Sequence, residues 1–166
     1  MNKNSIKAIL KKNKTMDWKY FEKDQISIRW LPIVKIEETE GYVGLSTEGD
    51  WVFVKKGGMK ILNNIDNFFV IHPLLKQKRT QVIQRFITGL NNLGLTEVII
   101  KTFPFDELIM SAINDKPQWV NQVINWLNDG YPPNDMIAQA FSKKRGTIPS
   151  AIRRWQNDRI EKIIRV

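Results

Sequence analysis

Tyr42-Val43-Gly44-Leu45-Ser46-Thr47-Glu48-Gly49-Asp50-Trp51-Val52-Phe53-Val54 is the stretch on which the fold turns. The β-formers Tyr42, Val43 and Leu45 precede Thr47-Glu48-Gly49-Asp50. Trp51, Val52, Phe53 and Val54 follow it. Apolar and aromatic residues on both sides of a four-residue, Gly-containing turn read as a β-hairpin.

Working outward, Ile26, Ile28 and Trp30 alternate with Ser27 and Arg29, the period of a half-buried strand. Pro32 is expected to interrupt this strand or hold it at an edge, with Ile33, Val34 and Ile36 resuming it. Downstream, Lys56-Gly57-Gly58 marks the next turn, and Met59–Leu62 and Phe68–Ile71 read as two further strands. Short strands with tight turns predict a small antiparallel β-barrel or meander.

Beyond His72-Pro73 the periodicity changes. Leu75, Val82, Ile83, Phe86, Ile87, Leu90 and Leu93 form a helical stripe across 74–93, with Gly94 as the stop. Val98, Ile99 and Ile100 predict a buried strand over 95–102. Helices are then expected after Pro104, from near Pro117 to Gly130, from an Asn134 cap through Phe141, and from about Thr147 to the end. Asp158–Lys162 and Glu161–Arg165 would support the last at i, i+4. Strands first and helices second argue for an α+β fold. The expected organisation is a basic segment at 1–24, with Ile6, Ile9 and Leu10 at helical spacing, a β part at 25–72, and a mainly helical part at 73–166. The halves would share a core through the helix at 74–93 and the strand at 95–102. Asp17 to Asp24 reads as a connector or helical turn.

The formal net charge is +9, and the bases cluster. Residues 1–14 carry five lysines and no acid; residues 73–102 carry five bases against one acid; residues 143–166 carry eight bases against two acids. Two mildly acidic stretches separate them. Such blocks attract polyanions. Ile, Lys and Asn together make up 54 residues, so the clustering is a stronger signal than the total.

Three cationic sites emerge. Lys76, Lys78 and Arg79 stand at the start of the predicted 74–93 helix, where partial positive charge and free N–H groups already favour an anion such as phosphate. The competing reading is a solvated face. Ile137 to Arg154 loosely resembles a helix-turn-helix, with Ala140 and Phe141 packing on Ile148 and Ile152, and Ser150, Arg153 and Arg154 facing the major groove. Lys143 stands where a turn hydrophobe is usual, and Pro149 is awkward beyond a helix's first turn. Phosphate contact by Lys143, Lys144, Arg145, Arg153 and Arg154 therefore fits better than base reading. Trp155 lies among the C-terminal arginines, placed to stack on a base or an arginine, or to anchor the helix. Lys3, Lys7, Lys11, Lys12 and Lys14 form a basic arm, read either as mobile or as a docked helix. Trp30, Trp51 and Phe53 read as core residues first and as stacking platforms second.

Enzyme signals are sparse. The absence of cysteine excludes a disulfide framework, a thiolate metal site and a cysteine nucleophile. His72 is the one histidine, available as a single general base, and no Ser-His-Asp arrangement can be argued from it by sequence. Glu37, Glu38, Glu40, Glu48 and Asp50 lie on neighbouring β segments, where carboxylates can gather a divalent cation or stay solvated. Glu97 and Lys101 have the wrong spacing for a nuclease pair, and no Gly-rich phosphate loop occurs. No catalytic residue, metal or cofactor is called for.

The leading expectation is a non-enzymatic nucleic-acid-binding module for DNA or RNA. The alternatives are a protein–protein adaptor or inhibitor docking on an acidic partner, and a small nuclease. No stretch approaches the roughly 20 apolar residues of a membrane span, and no signal-peptide core is present, so a cytoplasmic protein is expected.

Overall fold

A computed structural model describes residues 2–12, 16–23, 25–145 and 148–164, with backbone alone at 145 and 160–164. It is an α+β protein. Among the described residues five strands, β1 (Lys19–Lys23), β2 (Ile26–Ile36), β3 (Gly41–Ser46), β4 (Trp51–Lys55) and β5 (Gly58–Ile61), form one antiparallel sheet in the meander order β1-β2-β3-β4-β5. Among the described residues the α-helices are α1 (Lys3–Lys12), α2 (Arg79–Asn92), α3 (Phe105–Asn114), α4 (Pro117–Asn128), α5 (Asp135–Arg145) and α6 (Ser150–Ile164). The sheet is an open half-barrel and does not close.

The quoted hairpin forms as read. Leu45 pairs with Trp51 and Tyr42 with Val54. Ser46 organises the turn: its hydroxyl accepts from the N–H groups of Glu48 and Asp50 at 3.2 and 3.1 Å.

β2 runs unbroken through Pro32, which stands at an edge, the second of the two placements expected of it. β1 pairs with β2 only from Ile26 to Trp30, so Pro32 lies past its reach, where a missing N–H costs no ladder bond on that side. On the other side the register shifts between Pro32 and Val34. β1 itself falls in the stretch expected to be a connector.

Two predicted strands are instead 3-10 helices. Phe68–Ile71 belongs to the segment Ile65–Lys76, whose first turn is capped by Asn64 Oδ1 accepting from Asp66 N at 3.1 Å. Glu97–Thr102 starts from the Thr96 cap. Short apolar runs bury equally well in either conformation, and periodicity does not separate them. Because the first 3-10 segment extends to Lys76, α2 begins at Arg79 rather than 74. α5 continues through Arg145, past the expected end at Phe141. α6 starts at Ser150, with the carbonyl of Pro149 accepting from Ile152 N and Arg153 N. Pro149 therefore sits before the first turn, where its ring is tolerated. Thr147 and the pairs Asp158–Lys162 and Glu161–Arg165 lie outside the described residues or side chains.

One face of the sheet, with Leu31, Ile33, Val43, Leu45, Trp51 and Phe53, joins the helices in a single continuous core. An aromatic chain crosses it: Trp51 meets Phe86 at 5.7 Å, Phe86 meets Phe103 at 4.6 Å, and contacts continue through Phe105 and Trp126 to Tyr131. α2 lies close on β2, and a Cβ on Gly89 would stand 2.2 Å from Ile33 O.

The other face carries a separate apolar cluster of Trp30, Val52 and Val54, with Phe21, Ile28, Met59 and Ile61 packed against it. It lines the inside of the curl. Lys23 Nζ on β1 donates to Gly57 O at the β4–β5 turn over 2.9 Å, a short reach between strands that stand three places apart in the sheet.

Candidate nucleic-acid interface

The three basic blocks meet different fates. In the first, Ile6 and Leu10 are buried and dock α1 as a helix. Two of its lysines turn to the hairpin: Lys3 Nζ lies 2.7 Å from Asp50 Oδ1, and Lys7 pairs with Glu48, while Lys11 and Lys12 are exposed. Lys14 lies outside the described residues.

At the start of α2, Lys76 reaches Glu38 Oε1 at 3.8 Å and sits 5.7 Å over the Trp119 ring. Lys78 is exposed, and its N–H donates to Gln81 Oε1 at 3.3 Å. Arg79 N donates to Asp129 Oδ2 at 3.1 Å, so the helix end already holds an anion, a carboxylate of the protein itself.

In the third block, Lys143 is exposed, and Lys144 Nζ donates to Asn114 O at the end of α3 over 3.1 Å. Cations suit that negative helix end. Arg153 Nε donates to Ile148 O at 3.0 Å, and Arg154 is exposed. Among the described residues no carboxylate pairs with Lys143, Arg153 or Arg154. The Arg145 side chain lies outside the description. Trp155 packs against the core, and Arg159 stacks on its ring at 4.9 Å while bonding Asp135 at 2.6 Å. Ile137, Ala140, Phe141 and Ile152 are buried, but α5 packs chiefly on α3 and α6 on α4, unlike the direct pairing of a helix-turn-helix.

The inside of the half-barrel holds a grouping that the charge blocks do not reveal. A cavity of about 450 Å³ is lined by Phe21, Trp30 and Tyr42 together with Lys23, Lys55 and Lys56. Trp30 and Tyr42 rings lie 6.4 Å apart, and Tyr42 is 38% exposed. Trp30 is packed over Gly44, where a Cβ would stand 2.8 Å from the indole ring, so the glycine makes room for it. Its indole N–H is buried without a partner among the described residues. The indoles of Trp51 and Trp126 donate to Thr102 Oγ1 and Gln77 O. Trp51 and Phe53, the other expected platforms, belong to the main core. The sequence signal for the cavity is Lys55-Lys56 at a Gly-Gly turn, beside alternating Lys19, Phe21 and Lys23; it was hidden because β1 reads as irregular.

A Ser-His-Asp row also appears that one histidine could not announce. His72 Nε2 lies 3.0 Å from Ser111 Oγ, and its Nδ1 lies 3.2 Å from Asp115 Oδ2, at ion-pair distance without hydrogen-bond geometry. His72 is fully buried and Ser111 is 9% exposed, so the row lies inside the packing of α3 on the Ile65–Lys76 segment. Burial holds the imidazole pKa below its ordinary value, with Asp115 opposing. Glu48 and Asp50 are engaged by α1, Glu37 by Lys35 and Glu38 by Lys76. Among the described residues no group of three or more acids and histidines is placed to hold a metal ion. No described helix is long and apolar enough to cross a membrane.

Comparison of the chain with family models, with curated proteins and with solved structures found no match.

Proposed function

We propose that the protein is a nucleic-acid-binding module without catalytic activity, holding phosphates through its C-terminal cations. The observation that carries this reading is the state of the third basic block. Lys143, Arg153 and Arg154 have no carboxylate partner among the described residues, whereas Lys3, Lys7 and Lys76 each have one. Cations left without internal counter-charges are the ones that gain from releasing the counterions of a polyanion. Lys78 and Arg79 add to the field, but a phosphate at the α2 start competes with Asp129. Contacts of this kind fix position on a backbone and carry little sequence information.

Fluorescence anisotropy with labelled DNA and RNA at several salt concentrations tests the reading. Affinity should fall linearly in log–log salt with a slope of several counterions. Replacing Lys143, Lys144 and Arg145 with Ala should weaken binding to all sequences alike. Binding that ignores both salt and this triple change would remove the C-terminal site. A stoichiometric complex with an acidic protein from nuclease-treated lysate, and no affinity for nucleic acid, would favour the adaptor.

A further inference from the structure

We infer that the inside of the half-barrel seats the unpaired bases of a single strand, an inference that rests on the nucleic-acid function proposed above and names its substrate class. The helices cover the opposite face of the sheet, so this face keeps its own small apolar cluster and an open cavity. At about 450 Å³ the cavity is in the range of small-ligand sites. Its walls combine two chemistries that single-strand binding requires: aromatic faces for stacking and cations that track the backbone. Tyr42 offers an exposed ring beside Trp30, and Lys55 and Lys56 stand at the mouth, with Lys23 bracing β1 against the β4–β5 turn.

The charge at the rim selects among occupants. Lys55 and Lys56 stand together at one end of the cavity, around the β4–β5 turn, and among the described residues no carboxylate pairs with either. An apolar peptide would leave Lys55 and Lys56 without counter-charge; a phosphodiester chain supplies it while its bases cover Tyr42. A duplex hides its base faces by stacking and pairing, so the geometry favours single strands.

The test uses the full chain with fluorescein-labelled dT12, its RNA counterpart and a 12-base-pair duplex. Tyr42→Ala should lower single-strand affinity about tenfold, within the range for losing one stacked base, and leave duplex affinity unchanged. Tyr42→Phe should keep the parental affinity, because the ring remains. Lys55→Ala with Lys56→Ala should reduce the single-strand salt slope by about 1.4, the equivalent of two phosphates. Circular dichroism melts of the variants control for folding. If Tyr42→Ala binds dT12 as tightly as the parent, or if single-strand and duplex affinity fall together, the inference is overturned. If the Lys143, Lys144 and Arg145 change abolishes all binding while Tyr42→Ala changes none, the module binds nucleic acid elsewhere. If no oligonucleotide binds and polyglutamate does, both readings fail.

Discussion

His72 Nε2 and Ser111 Oγ stand 3.0 Å apart in the packing between the Ile65–Lys76 segment and α3. Asp115 lies beside Nδ1 at 3.2 Å, which favours the tautomer protonated there, with the Ser111 hydroxyl donating to Nε2. Trp119 of α4 covers the imidazole at 5.3 Å between ring centres, and Lys76 lies over the same indole. The group is therefore a polar tie between two elements of the helical half, and it is sensitive to protonation.

Burial lowers the His72 pKa from its ordinary value of 6.5. The unfolded chain then takes up a proton that the folded chain resists, so the unfolded state binds more protons below about pH 6.5 and stability falls as pH falls through that range. His72 is the only histidine, so the slope has one main source. Thermal melts between pH 7.5 and 5.5 should show the parent losing stability, by up to about 1.4 kcal/mol per pH unit. His72→Gln should start lower, having lost the native tie, and show a shallower slope. Parallel slopes for the two proteins would mean that His72 does not control this range.

α1 is held by its apolar side. Ile6 and Leu10 are 2% and 3% exposed, whereas the pairs Lys3–Asp50 and Lys7–Glu48 lie at the surface. Exposed ion pairs contribute little and are screened by salt. Leu10→Ala should cost about 2–5 kcal/mol in urea unfolding, while Lys7→Ala should be nearly neutral at 150 mM salt. A larger loss from Lys7→Ala would show that charge, not burial, docks the helix.

The division between legible and hidden features follows from range. The β3–β4 hairpin, the helix starts at Pro117 and after the Asn134 cap, and the stripe Val82, Phe86 and Leu90 are set by neighbours within a few residues, and each is present. Phe68–Ile71 and Val98–Ile100 are short apolar runs whose conformation depends on what they pack against, and both form 3-10 turns. The basic clusters were visible, but their partners were not: Asp50 is 47 residues from Lys3, and Asp129 is 50 from Arg79. The cavity depends on Lys23, Tyr42 and Lys55 meeting across a curved sheet, which no local pattern encodes.

The approach of α2 to β2 leaves no room at Gly89. A methyl group there would stand 2.2 Å from Ile33 O and 2.9 Å from its Cγ2. Alanine normally favours a helix interior over glycine, so intrinsic propensity predicts a gain for Gly89→Ala and the contact predicts a loss. The contact involves backbone, which yields poorly, and the expected outcome is destabilisation of about 1–3 kcal/mol. Chemical denaturation distinguishes the two signs directly, and a stabilised variant would mean that α2 can slide on the sheet.

Asp129 and Arg79 set the last expectation. The carboxylate accepts from the first N–H of α2 at a point where Lys76, Lys78 and Arg79 crowd the positive helix end. Without it, three bases and the helix dipole repel one another and an orphan donor faces solvent. Asp129→Ala should lower stability by about 1 kcal/mol, the scale of a lost helix cap. The vacated end should then accept an external anion. Inorganic phosphate, compared with chloride at equal ionic strength, should raise the Tm of Asp129→Ala by more than it raises that of the parent. Equal shifts would mean that the α2 end does not discriminate between its own carboxylate and a phosphate in solution.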